Sequence, residues 1–222
     1  MKPRLNLLIV IGVVIVLILA FRALQQFREG ENETFTFEHP ALENPEVAGK
    51  QVVRRIELLE PRKAFDFTLT DMDNGVTQLS DFDGKLVLIG FIYTSCPDVC
   101  GLLTQHFRHI QREFNDIVEK DLVLIFITTD PRRDTPERIK AYTRGFGGKW
   151  RFLTGSESEL QEVWDAYRVF VKEKRSVDLV YHSYMVTLID RNENVRYRYI
   201  GLVDPQEVIV KDIKHLLQEG GV

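Results

Sequence analysis

The pattern of hydrophobic and polar positions predicts two buried β-strands in the middle of the chain. Residues 86–93 and residues 122–128 are continuous apolar runs rich in β-branched and aromatic side chains. Runs of this length and composition are typical of strands covered on both faces, as in the parallel sheet of an α/β domain. The stretch between the two runs predicts a helix that ends at about Val118.

Turn and capping residues mark the elements around these strands. An Asn-Gly pair at residues 74–75 separates two alternating stretches, residues 65–70 and 76–79. This arrangement predicts a β-hairpin before the first buried strand. After the second strand, Thr135 and Pro136 have the pattern of an N-cap and a first helical residue.

The last third of the chain predicts a helix, a hairpin and a final helix. Ser156 and Glu159 have the spacing of a capping box at a helix start. Strands are expected near residues 184–189 and 195–200, and a last helix over residues 205–218.

The order of these elements predicts an α/β, thioredoxin-like fold with an added N-terminal β-hairpin. In that plan the third core strand, near residues 184–189, runs antiparallel to the strand at residues 86–93. The third strand therefore begins beside the end of that earlier strand. The residue just before this third strand is His182.

An apolar stretch near the N-terminus predicts a single transmembrane helix before the domain. Residues 5–21 carry no charge and are at the short end of what spans a bilayer. No A-x-A-like site follows, which favours an uncleaved anchor over a signal peptide. We therefore predict a membrane anchor over residues 1–28, a polar tether over 29–54 and one folded domain over 55–222.

Composition and charge narrow the possible partners of that domain. The chain has 222 residues, 44% of them hydrophobic, which suffices for one sizeable core but not comfortably for two. The net charge is −4, and every acidic residue lies after Arg28. Because the part of the chain after Arg28 is acidic, the charge argues against nucleic acid as a partner.

The two cysteines of the chain lie four residues apart, directly after the first buried strand. Sheets of α/β proteins place their sites at the carboxyl ends of strands, where Cys96 and Cys100 fall. If the chain becomes helical near Asp98, residues four apart share a face, and both sulfurs can reach one metal ion or each other. The pair therefore predicts a soft-metal site or reversible disulfide chemistry. A structural disulfide is disfavoured because it would close only a short loop.

His182 is the candidate third ligand among five histidines. His39 lies in the predicted tether, and His215 lies in the last helix. At about 100° per residue, His106 and His109 point about 120° and 180° away from the cysteine face, so we expect solvated helix residues. The alternative for His182 is a polar residue that closes a loop. A Cys₂His set suits copper and, with a water, also suits zinc, so residue types alone leave both metals open.

Five segments of the domain then match a known family. They are Gly-Lys-Leu-Val-Leu at 84–88, Tyr-Thr-Ser-Cys-Pro-Asp-Val-Cys at 93–100, Thr-Asp-Pro-Arg-Arg-Asp-Thr-Pro-Glu at 129–137, Phe-Leu-Thr-Gly at 152–155 and His-Ser at 182–183. From about residue 65 to residue 217 the chain resembles the Sco (SenC) family. These membrane-anchored proteins help to deliver copper to the CuA centre of cytochrome c oxidase. The resemblance implies Cys96, Cys100 and His182 as ligands of copper, either Cu(I) or Cu(II).

The resemblance also implies a function and partners. We expect a copper metallochaperone that assists assembly of the CuA centre, with the CuA-bearing oxidase subunit as target and an upstream copper donor. The alternative is a thiol–disulfide oxidoreductase that reduces the target's cysteines through Cys96 and Cys100. Only the first function needs His182. The expected location is the bacterial inner membrane, with the domain on the periplasmic side.

One residue beside the histidine departs from the family pattern, and one segment after the second strand has more than one possible role. The family usually has an aspartate immediately before the histidine, whereas this chain has Tyr181. In the segment that follows the second strand, Asp134 is expected to favour a helix N-terminus. Arg132 and Arg133 of that segment are either solvated or available to a partner.

Overall fold

The computed structural model describes residues 54–97, 99–174, 179–201 and 205–219. The predicted anchor and all but the last residue of the predicted tether lie outside these ranges. None of the helices within the described ranges is long and apolar enough to cross a bilayer.

The domain contains ten strands and four α-helices within the described residues. The strands are β1 (Arg54–Lys63), β2 (Thr68–Asp71), β3 (Val76–Gln78), β4 (Leu86–Ile92), β5 (Leu122–Thr128), β6 (Arg151–Thr154), β7 (Val171–Lys174), β8 (Leu179–His182), β9 (Met185–Ile189) and β10 (Asn194–Ile200). The helices are α1 (Cys100–Glu113), α2 (Pro136–Phe146), α3 (Glu157–Tyr167) and α4 (Pro205–Glu219), and a short 3₁₀ helix covers Leu79–Phe82.

Eight strands form one sheet with β4 and β5 near its centre. The order is β1-β10-β9-β4-β5-β6-β2-β3, while β7 and β8 form a separate two-stranded sheet. Strand β4 pairs in parallel with β5 and antiparallel with β9. This confirms the predicted α/β, thioredoxin-like core, including the antiparallel third strand.

Helices cover both faces of the sheet, which explains the two continuous apolar runs. Every residue of β4 and β5 is buried. Helices α1, α2 and α4 pack on one face, and α3 packs on the other with the 3₁₀ helix and the β2–β3 hairpin. Gly90 of β4 allows a close approach: a Cβ there would lie 3.0 Å from ring carbons of both Phe107 and Phe126. The glycine thus lets α1 pack tightly against the strand that precedes the cysteines.

The local signals of the sequence are confirmed at their positions. The β2–β3 hairpin turns at Asn74, whose φ is 62°, and the Asp71 carboxylate accepts hydrogen bonds from backbone amides of the turn. The Thr135 side chain caps α2, and Ser156 forms a capping box with Glu159 at the start of α3.

Three features of the fold differ from the sequence prediction. Strand β1 was not predicted, and it pairs antiparallel with β10 at the edge of the sheet. The short strand β6 and the β7–β8 pair were also missed, although β6 extends the sheet beside β5. Helix α1 ends at Glu113 rather than near Val118.

Candidate metal centre

Two sulfurs and one imidazole nitrogen meet at the carboxyl end of β4. One ligand atom each from Cys96, Cys100 and His182 lies within 4.8 Å of the other two. The Sγ atom of Cys100 is 3.5 Å from Nε2 of His182. The three residues predicted as ligands are therefore brought together, although 82 positions separate Cys100 from His182 in the sequence.

The turn between β4 and α1 positions the cysteines. The backbone amide of Cys96 donates a hydrogen bond to the carbonyl of Tyr93 at 3.3 Å, and Cys100 is the first residue of α1. Cys100 is 2% exposed, whereas Cys96 is partly exposed. A hydrogen bond with Cys96 and then burial raise the pKa of the Cys100 thiol. A metal ion that binds here must therefore displace the proton from a buried thiol.

The β7–β8 sheet positions the histidine, which corrects one detail of the prediction. His182 ends β8 and does not directly precede β9, which begins three residues later at Met185. Its Nδ1 lies 3.2 Å from the carbonyl of Ser183, which can only accept a hydrogen bond. Nδ1 therefore has the proton, and the lone pair of Nε2 points to the cysteines. The Tyr93 ring contacts the imidazole edge-on, with 5.8 Å between centroids.

The prediction that His106 is a solvated helix residue was wrong. His106 is buried, and its Nδ1 lies 3.0 Å from the Tyr184 hydroxyl. This hydrogen bond joins α1 to the segment between His182 and β9. The sequence held a usable signal, because His106 lies beside the apolar stripe of Leu103 and Phe107 on the buried face of α1.

Two further histidines, His109 and His215, lie away from the site. His109 pairs with Glu207 at 3.3 Å, and His215 pairs with Glu219 at 3.0 Å, both at the surface. His39 lies outside the described residues, as does Asp178, a carboxylate close to His182 in sequence.

A buried carboxylate beneath the cysteine turn was not predicted. Asp134 is fully buried and accepts hydrogen bonds from the Thr94 amide at 3.1 Å and the Thr128 hydroxyl at 2.6 Å. It also accepts from the Thr94 hydroxyl. Burial raises the pKa of this carboxyl, and the bonds from Thr128 and Thr94 act in the opposite direction. Asp134 thus joins the ends of β4 and β5 rather than only favouring a helix start.

Two arginines support the same turn from outside. Arg138 donates hydrogen bonds to Thr94 Oγ1 at 3.0 Å and to Ser95 Oγ at 2.7 Å. Arg133 forms an ion pair with Asp130, and its guanidinium lies 5.6 Å from the Tyr93 ring centre. Arg133 therefore has a structural role at this end of the sheet.

Three exposed apolar residues are close to the ligands in sequence or are bonded to their neighbours. Leu102 follows Cys100 in the first turn of α1, and Tyr181 precedes His182. Phe170 is linked to the segment after His182, because its amide and carbonyl both hydrogen-bond to Ser183. All three side chains are between 44% and 50% exposed. Tyr181, which replaces the aspartate usual in the resembled family, therefore points to solvent.

The chain matches one family over most of the described domain. The family model SCO1/SenC matches residues 57–218. A "SCO2-like protein RT0576" from Rickettsia typhi is 32% identical over 142 residues, which are 61% of this chain and 70% of that protein. Two further SCO2-like proteins from Rickettsia prowazekii and Rickettsia conorii are covered over 63% and 64% of their length.

Solved structures agree with this match. "Bradyrhizobium japonicum ScoI with copper bound" superposes with a TM-score of 0.63 at 29% identity, covering 70% of this chain and 99% of that one. BsSco, described as a member of the Sco family of cytochrome c oxidase assembly proteins with a disulfide switch, superposes with a TM-score of 0.61 at 27% identity. That superposition covers 72% of this chain and 96% of BsSco.

Proposed function

Because the chain belongs to the SCO1/SenC family, we propose that it is a copper metallochaperone that assists assembly of the CuA centre of cytochrome c oxidase. The observation behind this proposal is the convergence of Cys96, Cys100 and His182 within 4.8 Å. The copper-bearing subunit of the oxidase is the proposed target, and a separate copper donor would load the site.

The donor set favours copper as the cargo. Soft thiolates select Cu(I), and imidazole suits copper in either oxidation state. Zinc would accept the same ligands with a water. The similar ScoI protein with copper bound supports copper over zinc.

The exposure of the ligands suits transfer by ligand exchange. Cys100 is buried, but Cys96 and His182 are each partly open to solvent. A thiolate of the target can approach from the open side and replace one ligand at a time. The exposed Leu102, Phe170 and Tyr181 offer apolar surface to the approaching protein.

Membrane anchoring and an outward-facing domain complete the proposal. They rest on the uncharged apolar residues 5–21 and on the polar segment that follows. We propose a single-pass protein of the bacterial inner membrane, with the domain on the periplasmic side.

The two thiols support a second candidate, a thiol–disulfide oxidoreductase acting on the same target. In this reaction the Cys96 thiolate attacks a target disulfide, forms a mixed disulfide and releases one target thiolate. Cys100 then attacks Cys96, which releases the second target thiolate and leaves Cys96 and Cys100 oxidised. The assignment of Cys96 as attacker follows from its exposure and from the raised pKa of buried Cys100.

The spectrum of the purified full chain after Cu(II) addition tests the metal. A Cu(II)–thiolate bond is strongly coloured, whereas a zinc or disulfide protein is not. We expect an intense visible band that disappears in the Cys96→Ser/Cys100→Ser variant. Absence of the band would contradict copper–thiolate binding.

Oxidase assembly in cells separates the two functions. Cells whose own copy is replaced by His182→Ala should show reduced oxidase activity at limiting copper and partial rescue by added copper. His215→Ala is the matched control, because His215 lies at the surface in α4. Assembly that is indifferent to His182→Ala at limiting copper would favour the reductase.

A further inference from the structure

A cavity lies on the opposite face of the sheet from α1 and its cysteines. It has a volume of about 300 Å³ and lies where the end of β1, strand β10 and the end of α3 meet. Its lining includes Arg62 from β1, Arg198 from β10 and Tyr167 from α3. The Tyr167 hydroxyl donates to the Phe65 carbonyl at 3.0 Å, which fixes one wall.

Three arginines around this cavity have no carboxylate partner within the described ranges. They are Arg62, Arg198 and Arg168, the residue that follows α3. In addition, Nε of Arg198 is buried and has no hydrogen-bond partner there. An unsatisfied buried donor is costly, and a charged one more so.

Two neighbouring cations, in contrast, have carboxylate partners. Arg196, on the same strand and two residues earlier, pairs with both Asp190 and Glu219. Lys63, which also lines the cavity, forms an ion pair with Glu193 at 3.1 Å. Acidic partners are thus supplied to the adjacent cations but not to Arg198.

Burial and two neighbouring arginines both act on the charge of Arg198. Burial, followed by repulsion from Arg168 and Arg62, lowers the pKa of its guanidinium. Like charges that lie close together on a partly buried surface destabilise the folded state unless a counter-charge is present.

We infer that this cavity, which we call the arginine cavity, binds a phosphate-type oxyanion between Arg62 and Arg198. Guanidinium groups match the geometry of phosphate oxygens and can form two parallel hydrogen bonds with them. The guanidinium groups of Arg198 and Arg62, which both line the cavity, would supply the donors. The oxyanion is either free phosphate or the phosphodiester of a lipid headgroup, since both offer the same oxygens.

Equilibrium dialysis of the full chain in detergent against radiolabelled inorganic phosphate tests the site. Ionic strength is held constant with chloride, so that general screening is the same in every sample. We expect saturable binding of about one phosphate per chain, weakened about tenfold or more in Arg198→Gln, as expected for loss of a charge-assisted hydrogen bond. Arg62→Gln changes an exposed residue and tests the site even if the Arg198 variant does not fold.

Arg54→Gln is the matched control. Arg54 is an exposed arginine at the other end of β1, so its replacement removes the same charge and leaves the cavity intact. Retained binding in this variant, with loss in the other two, supports the arginine cavity. Equal weakening in all three variants, or no saturable binding by the wild type, overturns it.

Competition by glycerophosphoglycerol, a soluble lipid headgroup, identifies the source of the oxyanion. Displacement at lower concentration than unlabelled phosphate assigns the cavity to a lipid headgroup, and the reverse order assigns it to free phosphate. Copper stoichiometry should be unchanged in all variants, because the cavity lies on the other face of the sheet.

Discussion

The two sides of the metal centre are built differently. On the cysteine side, Cys96 and Cys100 follow β4, a fully buried strand of the main sheet, and Asp134 joins this turn to β5. On the histidine side, His182 belongs to the separate two-stranded sheet of β7 and β8.

The histidine side is tied to the core by side-chain contacts rather than by pairing with the main sheet. The Tyr184 hydroxyl contacts His106 of α1, and Ser183 forms hydrogen bonds with Phe170, the residue before β7. We infer that the two sulfurs are the fixed part of the centre and that the imidazole is the more easily replaced ligand. Such an asymmetry suits a protein that must both bind and release its metal.

Removal of both sulfurs should have the largest effect on the centre. Cys96→Ser/Cys100→Ser should lower copper affinity more than about 100-fold, because even indirect partners of a ligand contribute 10- to 100-fold. Competition with a chromogenic chelator measures this affinity. Copper retained by the double variant at wild-type affinity would rule out the cysteine pair as ligands.

Removal of the imidazole alone should leave the fixed part in place. His182→Ala should lower copper affinity by about 10- to 100-fold while sulfur ligands remain. X-ray absorption on the copper-loaded full chain should show two sulfur ligands in the wild type and in His182→Ala. The nitrogen ligand should be lost in the variant. A first shell unchanged from the wild type would contradict the assignment of His182.

Replacement of Asp134 should lower the stability of the fold on the cysteine side of the centre. Asp134→Asn places an amide group against the donors of Thr94 and Thr128, and should lower the free energy of unfolding by about 1–3 kcal/mol. Chemical denaturation measures the loss. Asp83→Asn, at an exposed aspartate, is the control and should be neutral.

The wild type and Asp134→Asn should also differ in how their free energy of unfolding depends on pH. Burial raises the pKa of Asp134 above 3.8, so the folded state takes up the proton more readily than the unfolded state. The stability from this carboxyl is therefore fully present below pH 3.8 and is lost as pH rises through the folded-state pKa. The advantage of the wild type over Asp134→Asn should shrink over that range, and a constant or growing advantage would contradict the raised pKa.

Tyr184→Phe should loosen the histidine side by a smaller amount. Loss of the hydrogen bond to buried His106 should cost about 1–2 kcal/mol of unfolding free energy. Copper affinity should fall less than in His182→Ala, since the ligand itself remains. Tyr181→Phe removes an exposed hydroxyl nearby and should change neither quantity, so equal effects of the two variants would argue against the Tyr184–His106 bond.

Tyr181→Asp should have the smallest effect on the fold. Because the side chain is 48% exposed, the free energy of unfolding should stay within about 0.5 kcal/mol of the wild type. Thermal and chemical denaturation check this expectation. A larger loss would mean that Tyr181 packs on the histidine side more closely than its exposure indicates.

Local sequence signals predicted the cysteine side of the domain well. Strands β4 and β5 can be predicted from their apolar runs without knowledge of the neighbouring strands, because both faces of each strand are covered. The caps at Thr135 and Ser156 depend on residues three positions away, so they are also readable from the chain. The cysteine pair falls at the end of a strand that the sequence already marks.

Elements that depend on distant partners were missed. Strand β1 is polar and mostly exposed, and it exists as a strand because β10 supplies its hydrogen bonds. Strand β6 has four residues and depends in the same way on β5. Strands β7 and β8 pair only with each other, and their four-residue lengths give little periodicity to detect.

The sequence by itself determined the core strands, the helix caps and the cysteine pair, because these depend on residue type and short spacing. His182 became a candidate ligand through its place before the predicted third strand and through the family resemblance. Only the tertiary structure decided that the three ligands lie within 4.8 Å, that His106 is buried and that Asp134 joins two strands beneath the site. The physical reason is the same in each case. A side chain's partner, and hence its burial and its charge state, is set by segments that lie far away along the chain and are brought together by the sheet.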